Sequence, residues 1–132
     1  MLSKYITLFQ QSINKLNTYC LFTGKSSVKV CALTGVAARL GGGSTIHSSV
    51  KLPVQKDGKI TTLPLLTGNW LQLLRQQWKD IEFLFINEIS MVPYEMLAMI
   101  DSRLRQIKNK EDEIFGGMHI ILFGDLLQLP PV

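Results

Sequence analysis

The sequence predicts an α/β fold: a parallel sheet of about three strands with helices packed on it. Helical stretches alternate with short apolar runs three times along 132 residues. Such alternation favours a parallel sheet covered by helices. Each apolar run also ends abruptly in polar or small side chains: Thr34 after the first, Asn87-Glu88 after the second, Asp125 to Gln128 after the third. Ligands of open α/β sheets bind outside the carboxyl ends of the strands. The three ends are therefore expected to converge along one edge.

The elements follow in order. Leu2, Tyr5, Ile6, Phe9, Ile13, Leu16 and Cys20 recur at steps of three and four, which gives a helix over 2–20 one apolar face. Thr23-Gly24-Lys25-Ser26 reads as a turn and not as a phosphate loop. Tyr19 stands where the loop pattern needs glycine, a helix precedes the tetrapeptide, and a strand, Val28 to Leu33, follows it. The small residues from Thr34 to Ala38 let a helix start pack closely and leave backbone N–H groups free for phosphate. Gly41 to Gly43 reads as a flexible bend; Thr45, His47 and Ser48 are candidate donors for a nucleic-acid backbone, although from these residues alone the stretch reads first as a Gly-rich connector carrying a surface histidine.

Lys51 to Gly68 is a loop punctuated by Pro53, Gly58, Pro64 and Gly68. Asn69 to Asp80 returns to helical spacing, with Trp70, Leu73, Leu74 and Trp78 near one face; both tryptophans are expected in the core. Ile81 to Ile86 is a buried strand that ends in Asn87-Glu88. Pro93 suits the first turn of a helix whose buried stripe is Leu97, Ile100, Leu104 and Ile107, with Asp101 and Arg105 paired across one turn. Lys108 to Glu113 reads as a charged, solvated loop. Met118 to Phe123 is a third strand, and Ile120 to Phe123 has the apolar pattern of a central one.

At 132 residues the chain is at most one domain, and 46% hydrophobic against 18% charged residues make it globular. The net charge of +4 and pI of 9.2 suit a polyanionic partner. Two cysteines, Cys20 and Cys31, make neither a disulfide framework nor a metal cluster, which favours a reducing compartment. No apolar run approaches the ~20 residues that span a membrane, and nothing in residues 1–20 reads as a secretory signal.

Three stretches carry a family likeness. They are Thr34 to Ala38 with Thr45-Ile46-His47-Ser48; then Asn87-Glu88-Ile89-Ser90-Met91-Val92; then Gly124-Asp125-Leu126-Leu127-Gln128-Leu129-Pro130-Pro131-Val132. Together, and in this order, they resemble successive motifs of the PIF-type superfamily-one DNA helicases, with wording similar to the helicase regions of Helitron transposons. Met96 to Gln106 resembles that family as well, so the likeness covers residues 28 to 132. It implies a partial RecA-like motor domain and ATP-driven, 5′ to 3′ movement on single-stranded DNA. It also implies work in repair, recombination, telomere maintenance or transposition, and a nuclear location. Glu88 is then the catalytic carboxylate that orients or deprotonates water, and Asn87 occupies the position of a Mg²⁺-linked Asp. Gln128 senses the γ-phosphate of ATP with Asp125 in support, while Thr34, Gly35, His47 and Ser48 lie along the DNA.

Two departures set expectations for activity. The phosphate loop is absent from the sequence; in the family it precedes a helix equivalent to 2–20, so it and its strand are expected upstream of residue 1. Asn87 replaces Asp and loses the charge that holds a metal ion. The chain alone is accordingly expected to be an inactive fragment. The alternatives are a non-catalytic remnant that binds single-stranded DNA and a relic without function. Without the phosphate-loop strand beside it, the third strand is expected on an open edge through which the chain self-associates.

Overall fold

A computed structural model describes residues 11, 14–15, 27–40, 42–53, 63 and 65–124. The turn at 23–26, Cys20, Asp125 and Gln128 lie outside the described residues. Of the 2–20 helix, Gln11, Asn14 and Lys15 are described, and each is helical. Four parallel strands form the sheet: β1 (Val28–Ala32), β2 (Ser44–Thr45), β3 (Phe83–Asn87) and β4 (His119–Leu122), in the order β2-β1-β3-β4. The helices are α1 (Gly35–Leu40), α2 (Ile46–Ser49), α3 (Gly68–Gln77) and α4 (Tyr94–Lys108). Short 3₁₀ turns span Ile89–Met91 and Ile114–Gly117.

β3 is the centre. It pairs with β1 on one side and β4 on the other, and Leu84 through Asn87 are all buried. Side chains of a strand alternate between faces. Leu84 and Ile86 accordingly join the main core with Leu74, Trp78, Ile100 and Leu104, while Phe85 packs on the other face with Val28, Val30, Ile121 and Phe123. Full burial on both faces is what an uninterrupted apolar run predicts for a parallel strand.

Several expectations need correction. The sheet has a fourth strand, β2, because two polar residues offer no apolar run from which to read a strand. The glycine bend is set by contact rather than flexibility. A Cβ on Gly43 would lie 2.0 Å from the Val30 carbonyl oxygen, so only glycine lets the chain pass β1 so closely. Trp78 is fully buried and its Nε1–H donates to the Ser49 oxygen at 3.2 Å, but Trp70 is 57% exposed. The C-terminal end of α3 meets the core through Leu74, whereas its first turn does not.

On α4, Ile100, Leu104 and Ile107 are buried as expected, joined by Met96, Met99 and Arg103; Leu97 is half-buried against the same core. Asp101 Oδ1 accepts from Arg105 Nε at 3.0 Å. Lys108 is not part of a solvated loop. It closes α4, and its Nζ donates to the carbonyls of Trp78 (2.5 Å) and Ile81 (2.6 Å), tying the α3–β3 connection to the helix. Asn109 follows in the left-handed conformation that commonly ends a helix. β4 is the outer strand of the described sheet, the position expected for the third strand; Ile120 and Ile121 are half-buried and Leu122 is 48% exposed. Among the described residues no helix is long and apolar enough to cross a membrane.

Candidate functional site

The carboxyl ends of the strands are level. Ala32 is in register with Thr45 on β2 and with Asn87 on β3, and Ile86 with Leu122 on β4. Adjacent strands lie ~4.8 Å apart, so Thr45 and Asn87 flank β1 at a separation of about 10 Å. Thr34 and Asn87-Glu88 thus share one edge, as the pattern of strand ends predicts, and Thr45 joins them from a strand that pattern did not include.

At the β1 end, Thr34 caps α1: its Oγ1 accepts from the Ala37 N–H at 3.2 Å and its backbone oxygen from the Ala38 N–H at 3.0 Å. Thr34 and Gly35 are exposed, and a Cβ on Gly35 would meet nothing within 4 Å, so the backbone here is open to a ligand. At the β2 end, Thr45 caps α2 by accepting from the Ser48 N–H. Ile46 and Ser49 turn inward, leaving His47 half-buried and Ser48 exposed. The Ser48 hydroxyl is already committed: it donates to the Thr45 carbonyl oxygen at 3.1 Å and accepts from Thr45 Oγ1 at 3.0 Å. Sequence spacing did not disclose that commitment, and a strand contacting Ser48 must use its remaining acceptor capacity or displace the cap.

At the β3 end the chain turns sharply. Asn87 is buried, and its Oδ1 accepts from the Glu88 N–H at 3.0 Å. Glu88 then takes the left-handed conformation, φ 57° and ψ 52°, which is uncommon and costly for a residue with a side chain. Its neighbours hold it there. The Ile89 N–H donates to the Phe123 oxygen at 2.9 Å, the Met91 N–H to the Glu88 oxygen at 3.0 Å, and the Phe123 N–H to the Ile86 oxygen at 2.9 Å. The Glu88 carboxylate is therefore presented at the edge, half-buried, from a backbone fixed on both sides. Strain of this kind concentrates at functional positions. No sequence signal announced it, because glutamate rarely marks a left-handed turn.

Mg²⁺ is held by oxygen ligands, typically one or two carboxylates with waters and phosphates. Among the described residues this edge offers one carboxylate, Glu88, and one amide oxygen, Asn87 Oδ1, already engaged by a backbone N–H. That set does not fit a metal site by itself. An Asp at position 87 could accept the same hydrogen bond and add a charge.

Comparison with known proteins agrees with this geometry. The family model described as PIF1-like helicase matches residues 7–132. The chain is 38% identical over 110 residues to the ATP-dependent DNA helicase RRM3 of Saccharomyces cerevisiae, covering 83% of this chain and 15% of that protein. It is 36% identical over 103 residues to the ATP-dependent DNA helicase PIF6 of Trypanosoma brucei brucei, covering 78% of this chain and 13% of that one. Among solved structures, Bacteroides Pif1 bound to single-stranded DNA superposes with a TM-score of 0.76 at 34% identity, over 98% of this chain and 28% of that one. The Bacteroides Pif1 complex with ADP-AlF3 and single-stranded DNA gives 0.68 at 41% identity, over 81% of this chain and 24% of that one. The chain thus spans less than a third of each of these relatives. These relatives speak for the family and not for its Helitron branch. With the strand order, the level carboxyl edge and the matched motifs in agreement, the chain belongs to the PIF1-like helicase family.

Proposed function

We propose that this chain supplies part of the first, RecA-like motor domain of an ATP-dependent DNA helicase, residues 28–132 carrying three of its motifs. The observation that carries the reading is Glu88, fixed in a left-handed turn at the carboxyl edge that Thr34 and the Thr45 cap also reach. In this reading Glu88 orients the attacking water, and Asn87 stands at the metal-linked position without its charge. Gln128 and Asp125 serve the γ-phosphate, and ATP with Mg²⁺ belongs to the complete motor. Single-stranded DNA lies over Thr34, Gly35, His47 and Ser48. A nuclear location, and work in repair, recombination or telomere maintenance, follow from the same reading. The exposed Leu122 on the outer strand supports self-association through β4.

Phosphoryl transfer rests on positioning and charge. The sequence holds neither a phosphate loop nor an Asp at position 87, so the isolated chain is expected to show no ATPase, with or without Asn87→Asp. The positive test is a chimera in which residues 27–132 replace the matching stretch of Bacteroides Pif1. With Asn87→Asp, it should hydrolyse ATP in a DNA-stimulated manner that Glu88→Gln abolishes. A folded chimera that is inactive, or one indifferent to Glu88→Gln, contradicts the reading. So does steady hydrolysis by the isolated chain.

A further inference from the structure

We propose that Lys51 and Trp70 form an additional contact for a single-stranded nucleic acid, the indole stacking one base and the ammonium meeting the phosphate beside it. The proposal rests on the strand-binding reading above and extends it beyond the carboxyl edge.

Lys51 comes three residues after Ser48, at the exit of α2, and its Nζ lies 4.8 Å from the centre of the Trp70 ring. That pair is exposed: Trp70 shows 57% of its surface, whereas Trp78, on the same helical face, is fully buried. A large aromatic left in water beside a cation is the composition that single-strand-binding grooves use, since every base has a π-face and every linkage a charge. The backbone of Lys51 is also held in place. Lys51 has a φ of 54°, a left-handed conformation that a lysine adopts only at a cost. Its carbonyl oxygen accepts from Arg103 Nη2 at 3.0 Å, and Arg103 is 1% exposed on α4. Nη1 of the same arginine donates to Gln106 Oε1 at 3.1 Å, so the clamp is itself anchored. A buried guanidinium thus fixes the strained backbone that carries the exposed cation, which preorganises the lysine half of the pair.

Charge favours a polyanion on this half of the chain. Residues 27–79 carry seven lysines and arginines against one acid, Asp57, whereas residues 80–132 carry four against nine acids. The overall charge of +4 conceals this division.

The test uses the whole chain and labelled oligo-dT, read in two ways. Anisotropy of the label reports binding, and tryptophan emission reports stacking, because Trp78 is buried and Trp70 supplies the solvent-sensitive signal. Binding should quench the exposed component. Trp70→Ala should abolish the quench and weaken binding about tenfold, the loss expected for one stacked base. Trp70→Phe should retain most of the affinity, and Lys51→Gln should lower the salt slope by about 0.7, one single-strand phosphate contact. The unchanged blue emission of Trp78 shows that the variants fold. Binding without quenching, with Trp70→Ala at full affinity, overturns this proposal and leaves the strand-binding reading standing. Absence of any anisotropy change overturns both.

Discussion

Replacing Glu88 by glycine should make the folded chain more stable while removing the carboxylate on which its proposed chemistry depends. The expectation comes from the backbone. At φ 57° and ψ 52°, a residue with a Cβ costs about 1–2 kcal/mol relative to the right-handed region. Glycine escapes that cost but adds about 0.5–1 kcal/mol of freedom to the unfolded chain. The net gain of Glu88→Gly is therefore about 0–1.5 kcal/mol, with mid-range values giving about 0.75 kcal/mol. Glu88→Ala is the control, since it removes the carboxylate and keeps the Cβ. The Glu88 side chain is half-exposed and little packing is lost in either variant, so the difference between them isolates the backbone. Urea melts of the three proteins provide the assay. With a slope of about 1–3 kcal/mol per molar, the glycine variant should melt several tenths of a molar above the alanine variant at an unchanged slope. Equal midpoints, or a lower one for glycine, would refute the claim that the carboxylate is presented by a strained turn.

Two further outcomes concern stability and assembly. Burial pushes the Cys31 thiol above its ordinary value of 9.0, outweighing hydrogen bonds from Ser49 and Ser44 and the charge of Lys29. The unfolded thiol then ionises first, so this group's contribution to stability is fully present below 9.0 and is lost as pH rises above it, until the folded thiol also titrates. Urea midpoints between about pH 8 and pH 10 should show this fall, and Cys31→Ala should reduce it; an identical slope in the variant contradicts the assignment. If β4 is an open edge, sedimentation velocity should show concentration-dependent self-association that Leu122→Lys suppresses, because charge blunts exposed edges. A monomer at all concentrations counts against it.

Much of the fold was legible because the relevant signals are local. β3 and β4 announce themselves as apolar runs, and the 3- and 4-residue spacing of Ile100, Leu104 and Ile107 places the buried face of α4. The shared edge was legible for the same reason: Thr34 and Asn87-Glu88 sit where the apolar runs stop. What escaped depends on contacts between distant segments. β2 is a strand only because Gly43 passes within touching distance of Val30. Lys108 belongs to a charged stretch, yet its ammonium is drawn onto the Trp78 and Ile81 carbonyls, and burial lowers its pKa. Trp70 and Trp78 share one helical face, and periodicity cannot tell which end of a helix overhangs the core. The left-handed turn at Glu88 is set by the pairing of Ile89 with Phe123 across the sheet, which composition cannot reveal.

The most direct test of the proposed DNA-binding edge is the salt dependence of strand binding by the isolated chain. Fluorescence anisotropy with labelled oligo-dT, measured at two salt concentrations, should show weak binding that salt reduces, with a slope of about −0.7 for each phosphate contacted. His47→Ala combined with Ser48→Ala should weaken it further. Tight binding that ignores salt, or binding untouched by the double substitution, would contradict a DNA strand lying over Thr34, His47 and Ser48.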